Sequence, residues 1–429
     1  MTDVWREFKF ATYLAFRTIV PEEKDRIPLT WSNGIYPILC YVPFVFLAYL
    51  SRQPDTYIIR VLLLPTTITA ILVAAYRFTW TIPEINVYNW GQCLWAAVAI
   101  GKSLEFALTK EGMLKIGESR PGVKKGKSKS DETSSTEDEH NRHPYIATWL
   151  YDAVDVIHTL RGLQWKFGRG VYIPKPTRPL ERSAFLRATL RSFIKNYLLL
   201  DFLESALKLF PGMGTPMGGS IFYPDLTVPT RYIVSTVLGI ITGWAIMSGF
   251  YMVYDLVTLI AVGLFGGSPT SWPPVMERPW HSDSMHRFWS KDWHQLLRQT
   301  FIVFGGYPGK WIAGRMGMIF GTFIASGMYH ECAMYSMDRG FDRNPIIFFG
   351  SQGFVLLIER AWKRTTGRPV SGPWGRLWVY FIMLVCAQPT VNSWHRRGLG
   401  GAMVIPPIIS PTRQFLLPLV RKLLNGKQY

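Results

Sequence analysis

The sequence is poor in cysteine and in acidic residues. Its 429 residues include four cysteines, Cys40, Cys93, Cys332 and Cys386, which are scattered through apolar segments without paired spacing. This pattern argues against a disulfide framework or a cysteine metal site, and we expect each thiol to pack as a small core residue. Asp and Glu number 29 against 47 Lys and Arg, so the formal net charge is +18. The chain is therefore strongly basic.

Several short catalytic motifs are also missing. The chain has no Gly-x-x-x-x-Gly-Lys-Ser/Thr phosphate loop, and no Gly-x-Ser-x-Gly turn follows a predicted strand. His330 opens a His-Glu-x-x-His zinc helix, but Met334 stands where the second histidine is required. Helical spacing would spread three histidines of one loop, His281, His286 and His294, around the axis, and no carboxylate or cysteine set completes a metal site with them. We therefore expect neither a metal nor a bound cofactor.

Long apolar stretches are the dominant feature that the chain does have. They approach the roughly 20 residues that cross a bilayer, and they predict an all-α, polytopic transmembrane bundle of eight or nine spans. No cleavable signal peptide is expected, because the first 30 residues mix acids and bases. The predicted spans are Ile35–Leu50, Ile58–Tyr76, Tyr88–Leu108, Ile233–Phe250, Tyr251–Phe265, Trp311–Tyr329, Ile346–Ile358, Leu377–Ala387 and Leu399–Ile409.

The basic residues flank these spans. One cluster runs from Arg161 to Lys195 with Glu181 as its only acid, and a second runs from Arg360 to Arg376. Both are typical of cytosolic loops under the positive-inside rule. A nucleic-acid partner is disfavoured, because the charge does not lie on a compact soluble domain.

Composition divides the chain into three regions. Residues 1–108 hold three predicted spans, residues 109–146 form a polar stretch expected to be a flexible cytosolic loop, and residues 147–429 would form the catalytic core. Within that core, residues 147–163 predict an amphipathic surface helix. Residues 193–210 carry acids among apolar residues and predict an interfacial or bundle-buried segment. Residues 265–308, rich in Trp and Pro, predict an ordered, partly re-entrant loop at the membrane interface.

Two histidines lie in distinctive contexts. His330 ends the apolar run Phe323 to Tyr329, and His294 closes the stretch Arg287-Phe288-Trp289-Ser290-Lys291-Asp292-Trp293-His294. An ionisable side chain within a membrane span is costly to desolvate and is a functional-site hypothesis by default. The alternatives are a histidine bonded across helices at 330 and an interfacial histidine of an aromatic belt at 294. Gly317 and Gly321, in the span before His330, predict close helix packing.

These residues resemble the membrane-bound O-acyltransferases, and within them the wax synthase-like branch that includes fungal acetyltransferases of terpenoid and other secondary metabolites. The Phe-Trp-x-x-x-Trp-His block ending at His294 and the Ser-Gly-Met-Tyr-His run ending at His330 carry the resemblance. Arg161-Gly162-Leu163-Gln164-Trp165 is similar to an Arg-Gly-x-x-Trp element of the fungal members. Many members of the wider family have Asn at the position of His294.

The resemblance implies an acyl-CoA-dependent enzyme, most simply an acetyltransferase, in the endoplasmic reticulum membrane. His330 would be the general base, since an imidazole with an unperturbed pKa near 6.5 can take a proton from a hydroxyl at neutral pH. His294 would polarise the thioester carbonyl or position the acyl donor. The substrates would be acetyl-CoA, which enters from the cytosol, and a small hydrophobic alcohol, which arrives laterally through the membrane lipids.

Two other functions remain open on the sequence alone. A long-chain acyl-CoA donor would make a wax or sterol ester at the same site. A proton-coupled transporter also suits a polytopic chain with an intramembrane histidine, but no internal repeat is found, and Glu105 and Asp255 are the few acids within the predicted spans.

Overall fold

The structure, a computed structural model, describes residues 2–124, 148–337 and 339–425, and its regular structure is almost entirely helical. The predicted all-α class is confirmed, with two short strand pairs added: parallel Ile27–Pro28 with Phe78–Thr79, and antiparallel Glu118–Arg120 with Val123–Lys124. The helices are α1 Thr2–Ile19, α2 Ile35–Leu39, α3 Val42–Leu50, α4 Tyr57–Tyr76, α5 Val87–Leu108, α6 Thr148–His158, α7 Arg182–Leu207, α8 Val228–Thr258, α9 Met285–Arg287, α10 Arg298–Phe301, α11 Tyr307–Tyr335, α12 Asn344–Thr366, α13 Gly372–Tyr380, α14 Gln388–Arg396 and α15 Leu417–Asn425.

The chain divides into two compact units. The first contains residues 1–81, 89–171 and 296–325, and the second contains residues 82–88, 172–295 and 326–429. Two helices of the described residues are long and apolar enough to cross a membrane, Tyr57–Tyr76 in the first unit and Val228–Leu264 in the second. A shorter apolar helical stretch covers Ile35–Leu50.

A buried ion pair organises the polar side of the first unit. Arg52, just after α3, donates two hydrogen bonds to the Glu118 carboxylate, at 2.8 and 2.9 Å, and two to Asp152 of α6, at 2.9 and 3.1 Å. Bidentate pairing is the strong geometry for arginine and a carboxylate. Glu118 opens the hairpin of Glu118–Arg120 with Val123–Lys124, so the pair anchors part of the predicted flexible loop to α3 and α6. The rest of that predicted loop, residues 125–146, lies outside the described residues.

The first unit also contains a tight helical hairpin. Helix α11 is broken at its tip, where Gly314 adopts a φ of +56°, and the chain then folds back on itself. Gly305 meets Gly321 and Gly309 meets Gly317 so closely that a β-carbon on any of them would lie about 2 Å from a backbone oxygen of its partner. The predicted close packing at Gly317 and Gly321 is confirmed.

Helices α7 and α8 form the main antiparallel pair of the second unit. Leu186 lies beside Gly263, and Leu200 lies beside Gly249, so the two helices run in opposite directions. Helix α8 continues as a π-helical turn through Leu264. The prediction of two spans, Ile233–Phe250 and Tyr251–Phe265, was wrong, because no proline or turn interrupts the backbone hydrogen bonds between them.

The prediction of a span at Leu399–Ile409 was also wrong. Residues 399–406 form turns and irregular structure, followed by a single 3₁₀ turn at Pro407–Ile409. Two carboxylates of α7 bind this part of the backbone instead: Glu204 accepts from the amide of Val404 at 3.0 Å, and Asp201 accepts from the amide of Thr412 at 2.7 Å. Asp201 and Glu204 are buried, so the 193–210 segment adopts the bundle-buried form of the two alternatives.

Candidate active site

The His330 imidazole lies among aromatic rings in the second unit. It stacks on Phe349 of α12, with ring centroids 4.7 Å apart and planes 13° from parallel. Trp394 of α14 lies 5.7 Å away at 45°, and Tyr329 meets the ring edge-on at 5.4 Å. The side chain is only partly buried. The imidazole is therefore oriented by rings on two helices while part of it stays accessible.

The close approach of α11 and α12 depends on Gly327. A β-carbon at this position would lie 2.6 Å from the Cα of Ile346, which no real side chain tolerates. One turn further along both helices, three residues on, His330 meets Phe349. Because residues three apart lie on the same face of a helix, the contact at Gly327 and Ile346 brings the His330 and Phe349 rings together.

The segment that carries His294 is fixed at its start by α12. Glu359 accepts hydrogen bonds from the backbone amides of Met285 and His286, at 2.6 and 2.9 Å, and from the indole Nε1 of Trp378 at 3.1 Å. These amides open α9, which continues as a π-helical turn through Asp292. A buried carboxylate thus satisfies N–H groups that a helix start would otherwise leave unpaired.

The end of this segment is fixed by polar side chains around His294. The amide nitrogen of Gln295 donates to the carbonyls of Trp289 and Trp293, both at 2.9 Å, and so ties the backbone on either side of the histidine. Trp289 donates its Nε1 to Gln352 of α12 at 3.2 Å. The His294 ring lies 4.4 Å from Phe250 of α8 and 5.1 Å from Trp293. Helices α8 and α12 together position this imidazole.

One aromatic cluster connects the two histidines. From His294 the ring contacts run through Trp293, Phe288 and Trp289 to Phe349, with centroid distances between 4.9 and 6.1 Å. Phe349 in turn stacks on His330. These rings belong to one core cluster or pack directly against it. The structure therefore brings both predicted histidines to the border of the same aromatic core.

Glu331, which follows His330, is used in an ion pair. It is fully buried, and its two carboxylate oxygens accept hydrogen bonds from the two terminal nitrogens of Arg397 at 2.7 and 2.8 Å. It also accepts from the backbone amide of Asp342 at 2.7 Å. With its lone pairs engaged in this way, Glu331 links α11 to the chain after α14.

The Arg-Gly-x-x-Trp element belongs to the first unit. Trp165 is fully buried, donates its Nε1 to Asp155 at 3.1 Å, and lies under the cationic groups of Arg52 and Lys115. Gly162 has a φ of +66° and touches the backbone of Gly168. The element thus builds a compact turn of that unit.

Sequence reasoning missed the face of α12 that supports both histidines. Phe349, Gln352 and Glu359 are buried and recur at intervals of three and seven residues, the spacing of one helix face. The presence of two polar residues on one face of an apolar helix could have indicated this face, because buried polar groups require hydrogen-bond partners.

Comparisons with known proteins place this region of the chain near a known family. Residues 272–351, which include both histidines and Phe349, match the model of the Membrane bound O-acyl transferase family. The resemblance predicted from the motifs is confirmed by this match.

Three curated proteins illustrate the relatives. Acetyltransferase atnC of Arthrinium sp is 25% identical over 62% of this chain and 69% of its own length. O-Mevalon transferase yanI of Aspergillus niger is 25% identical over 48% of this chain and 51% of its own length. Acetyltransferase aurG of Calcarisporium arbuscula is 32% identical over 27% of this chain and 31% of its own length. The chain thus spans between about a third and two thirds of the length of these relatives.

Proposed function

We propose that this chain, whose residues 272–351 match the model of the Membrane bound O-acyl transferase family, transfers an acyl group from acyl-CoA to a hydroxyl group of a hydrophobic alcohol. The observation that carries the proposal is the placement of His330 and His294 at one aromatic core. No acyl-enzyme is needed, since the alcohol attacks the thioester directly. The chemistry requires one base and one group that stabilises the developing oxyanion.

His330 is the base in this proposal. Its imidazole takes the proton of the hydroxyl as the alcohol oxygen bonds to the acyl carbon. The C–S bond then breaks, and the departing CoA thiolate takes up a proton, so the products are an ester and free CoA. The Phe349 and Trp394 rings hold the imidazole in one orientation, and such positioning is a large part of general-base catalysis.

His294 orients the thioester carbonyl or the acyl donor. A hydrogen-bond donor at this position can stabilise the oxyanion without exchanging a proton, a role that Asn also fills. His294→Asn is therefore expected to retain more ester formation than His294→Leu. Equal loss in the two variants would argue against hydrogen bonding as the contribution of His294.

A membrane setting fits the exposed faces of the long helices. Ile58 and Leu62 of α4 are 72% and 73% exposed, and Ile233 of α8 is 63% exposed. Apolar surface of this extent is what lipid would cover. We propose a multi-pass protein of the endoplasmic reticulum membrane, with acyl-CoA entering from the cytosol and the alcohol from the bilayer.

Acetyl is the acyl group we propose, and the acceptor is a terpenoid-type secondary metabolite. The support is the naming of several fungal relatives as acetyltransferases. A long-chain acyl group, giving a wax or sterol ester, is the second candidate within the same chemistry.

The test is a product assay on membranes from an expressing host. Membranes are incubated with labelled acetyl-CoA or palmitoyl-CoA and a panel of terpenoid and fatty alcohols, and esters are identified by mass spectrometry. An acetyl ester of a terpenoid alcohol supports the proposal, and a palmitoyl ester moves it to the long-chain reaction. Absence of acyl transfer across the panel contradicts the proposal and favours the transporter.

A further inference from the structure

The second unit contains a cavity of about 400 Å³ that the proposed chemistry at the two histidines does not use. Its walls are the middle of α7, the middle of α8 and the loop at residues 277–281. The lining residues are Ser192, Lys195, Asn196, Leu199, Trp244, Met247, Ser248, Tyr251, Glu277, Arg278, Pro279, Trp280 and His281.

The cavity has two cations without acidic partners. Lys195 and Arg278 are exposed, and within the described residues neither forms an ion pair. The single lining acid, Glu277, accepts a hydrogen bond from the Tyr172 hydroxyl. Lys195 is also the last of three exposed basic residues, with Arg187 and Arg191, spaced four apart on α7. The cavity mouth is therefore suited to an anion.

The cavity also offers flat aromatic surface and a further donor. The indole rings of Trp244 and Trp280 stack at a centroid distance of 5.5 Å with planes 15° apart. The Nε1 of Trp280 is buried and has no acceptor in the part of the chain that the structure describes. A buried donor without a partner is costly, so a ligand acceptor at this point would offset the cost.

We propose that this cavity binds the phosphorylated nucleotide end of the acyl-CoA donor, an inference that rests on the proposed function. Lys and Arg bind phosphate through charge-assisted hydrogen bonds, and tryptophan faces stack on nucleobases. Tyr251 in the cavity wall follows Phe250, whose ring lies 4.4 Å from His294. The cavity and His294 therefore contact neighbouring residues of the same turn of α8.

The test is equilibrium binding of labelled CoA and of 3′-dephospho-CoA to the full chain purified in detergent, because binding needs no turnover. The variants are Lys195→Ala, Arg278→Ala and Trp280→Phe, and the matched control is Lys363→Ala, an exposed basic residue of α12 outside the cavity. We expect each lost cation to raise the Kd for CoA about tenfold, and at least one of the two to remove the preference for CoA over 3′-dephospho-CoA. Trp280→Phe keeps a stacking ring and loses the donor, so its Kd should rise less. Lys363→Ala should bind as the wild type does.

Several results would overturn the inference. Wild-type affinity in both cation variants would place the nucleotide elsewhere even if ester formation is intact. Displacement of CoA by short-chain phosphatidate as effectively as by CoA itself would mean a lipid headgroup site. No saturable CoA binding by the wild type would also overturn it. Normal CoA binding that depends on Lys195 and Arg278, without acyl transfer to any alcohol, would instead leave the site standing and reject the proposed function.

Discussion

The imidazole of His330 lies flat against the phenyl ring of Phe349, with centroids 4.7 Å apart and planes 13° from parallel. This contact joins α11 to α12 and fixes the rotation of the imidazole about its side-chain bonds. The proposed base is thus oriented by a ring that carries no chemistry of its own.

Replacing Phe349 with Leu tests this orientation. Leu keeps an apolar contact but loses ring stacking, which is worth about 0.5–1.5 kcal/mol. If that energy orients the base, kcat for ester formation should fall about two- to twelvefold with little change in the KM for the alcohol. Phe354→Leu, an exposed position on the same helix, is the control and should leave kcat unchanged. A KM effect alone would contradict an orienting role.

Gly327→Ala tests the close approach of the helices. The added methyl group would lie 2.6 Å from the Cα of Ile346, and overpacking of this kind costs about 1–3 kcal/mol. We expect a lower Tm in detergent together with lower ester formation. Gly239→Ala is the matched control, because a β-carbon there meets nothing within 4 Å, and its Tm should be equal to or above that of the wild type. Identical Tm values for both variants would refute the helix contact.

Substitutions of Glu359 test whether its carboxylate holds the segment that carries His294. Glu359→Ala leaves the amides of Met285 and His286 without their acceptor, at a cost of about 1–3 kcal/mol for the buried Met285 donor and less for the part-buried His286 donor. Both Tm and ester formation should fall, and Glu359→Gln, which keeps one acceptor oxygen, should lie between Ala and the wild type. Arg360→Ala, at the exposed neighbouring position, should change neither measurement. An Ala variant with wild-type stability would show that the carboxylate does not hold this segment.

Substitutions in the buried ion pair of Glu331 and Arg397 test whether Glu331 has a structural role. Glu331→Gln leaves the Arg397 charge uncompensated and should lower the free energy of unfolding by about 3–5 kcal/mol. The double variant Glu331→Leu with Arg397→Met removes both charges and should recover much of that stability and the ester formation. A stable but inactive double variant would instead assign chemistry to Glu331.

The helical class could be predicted from local patterns, because apolar runs are visible along the chain. Motif spacing singled out the two histidines as candidates, and their role stays a prediction. From the sequence alone, the helix Val228–Leu264 could not be distinguished from two consecutive spans, because its hydropathy is continuous. Only the backbone of the structure shows that no turn interrupts it. The chain at Leu399–Ile409 is apolar, yet the buried Glu204 binds the backbone amide of Val404 within it, and the buried Asp201 binds that of Thr412 just after it.

The supporting residues depend on contacts between distant segments. Glu359 reaches Met285 across 74 positions of the chain, and Gln352 reaches Trp289 across 63. Nothing in the local sequence of either partner specifies the other. A helix face shared by Phe349, Gln352 and Glu359 could have been identified from spacing, but its partner could not.

The most direct test of the central claim is the rate of ester formation by His330→Ala, measured per mole of protein in membranes with matched expression. Loss of the general base should lower the rate about 10²- to 10⁴-fold, while CoA binding and Tm stay near those of the wild type. Full retained activity at normal expression would contradict the assignment of His330 as the base.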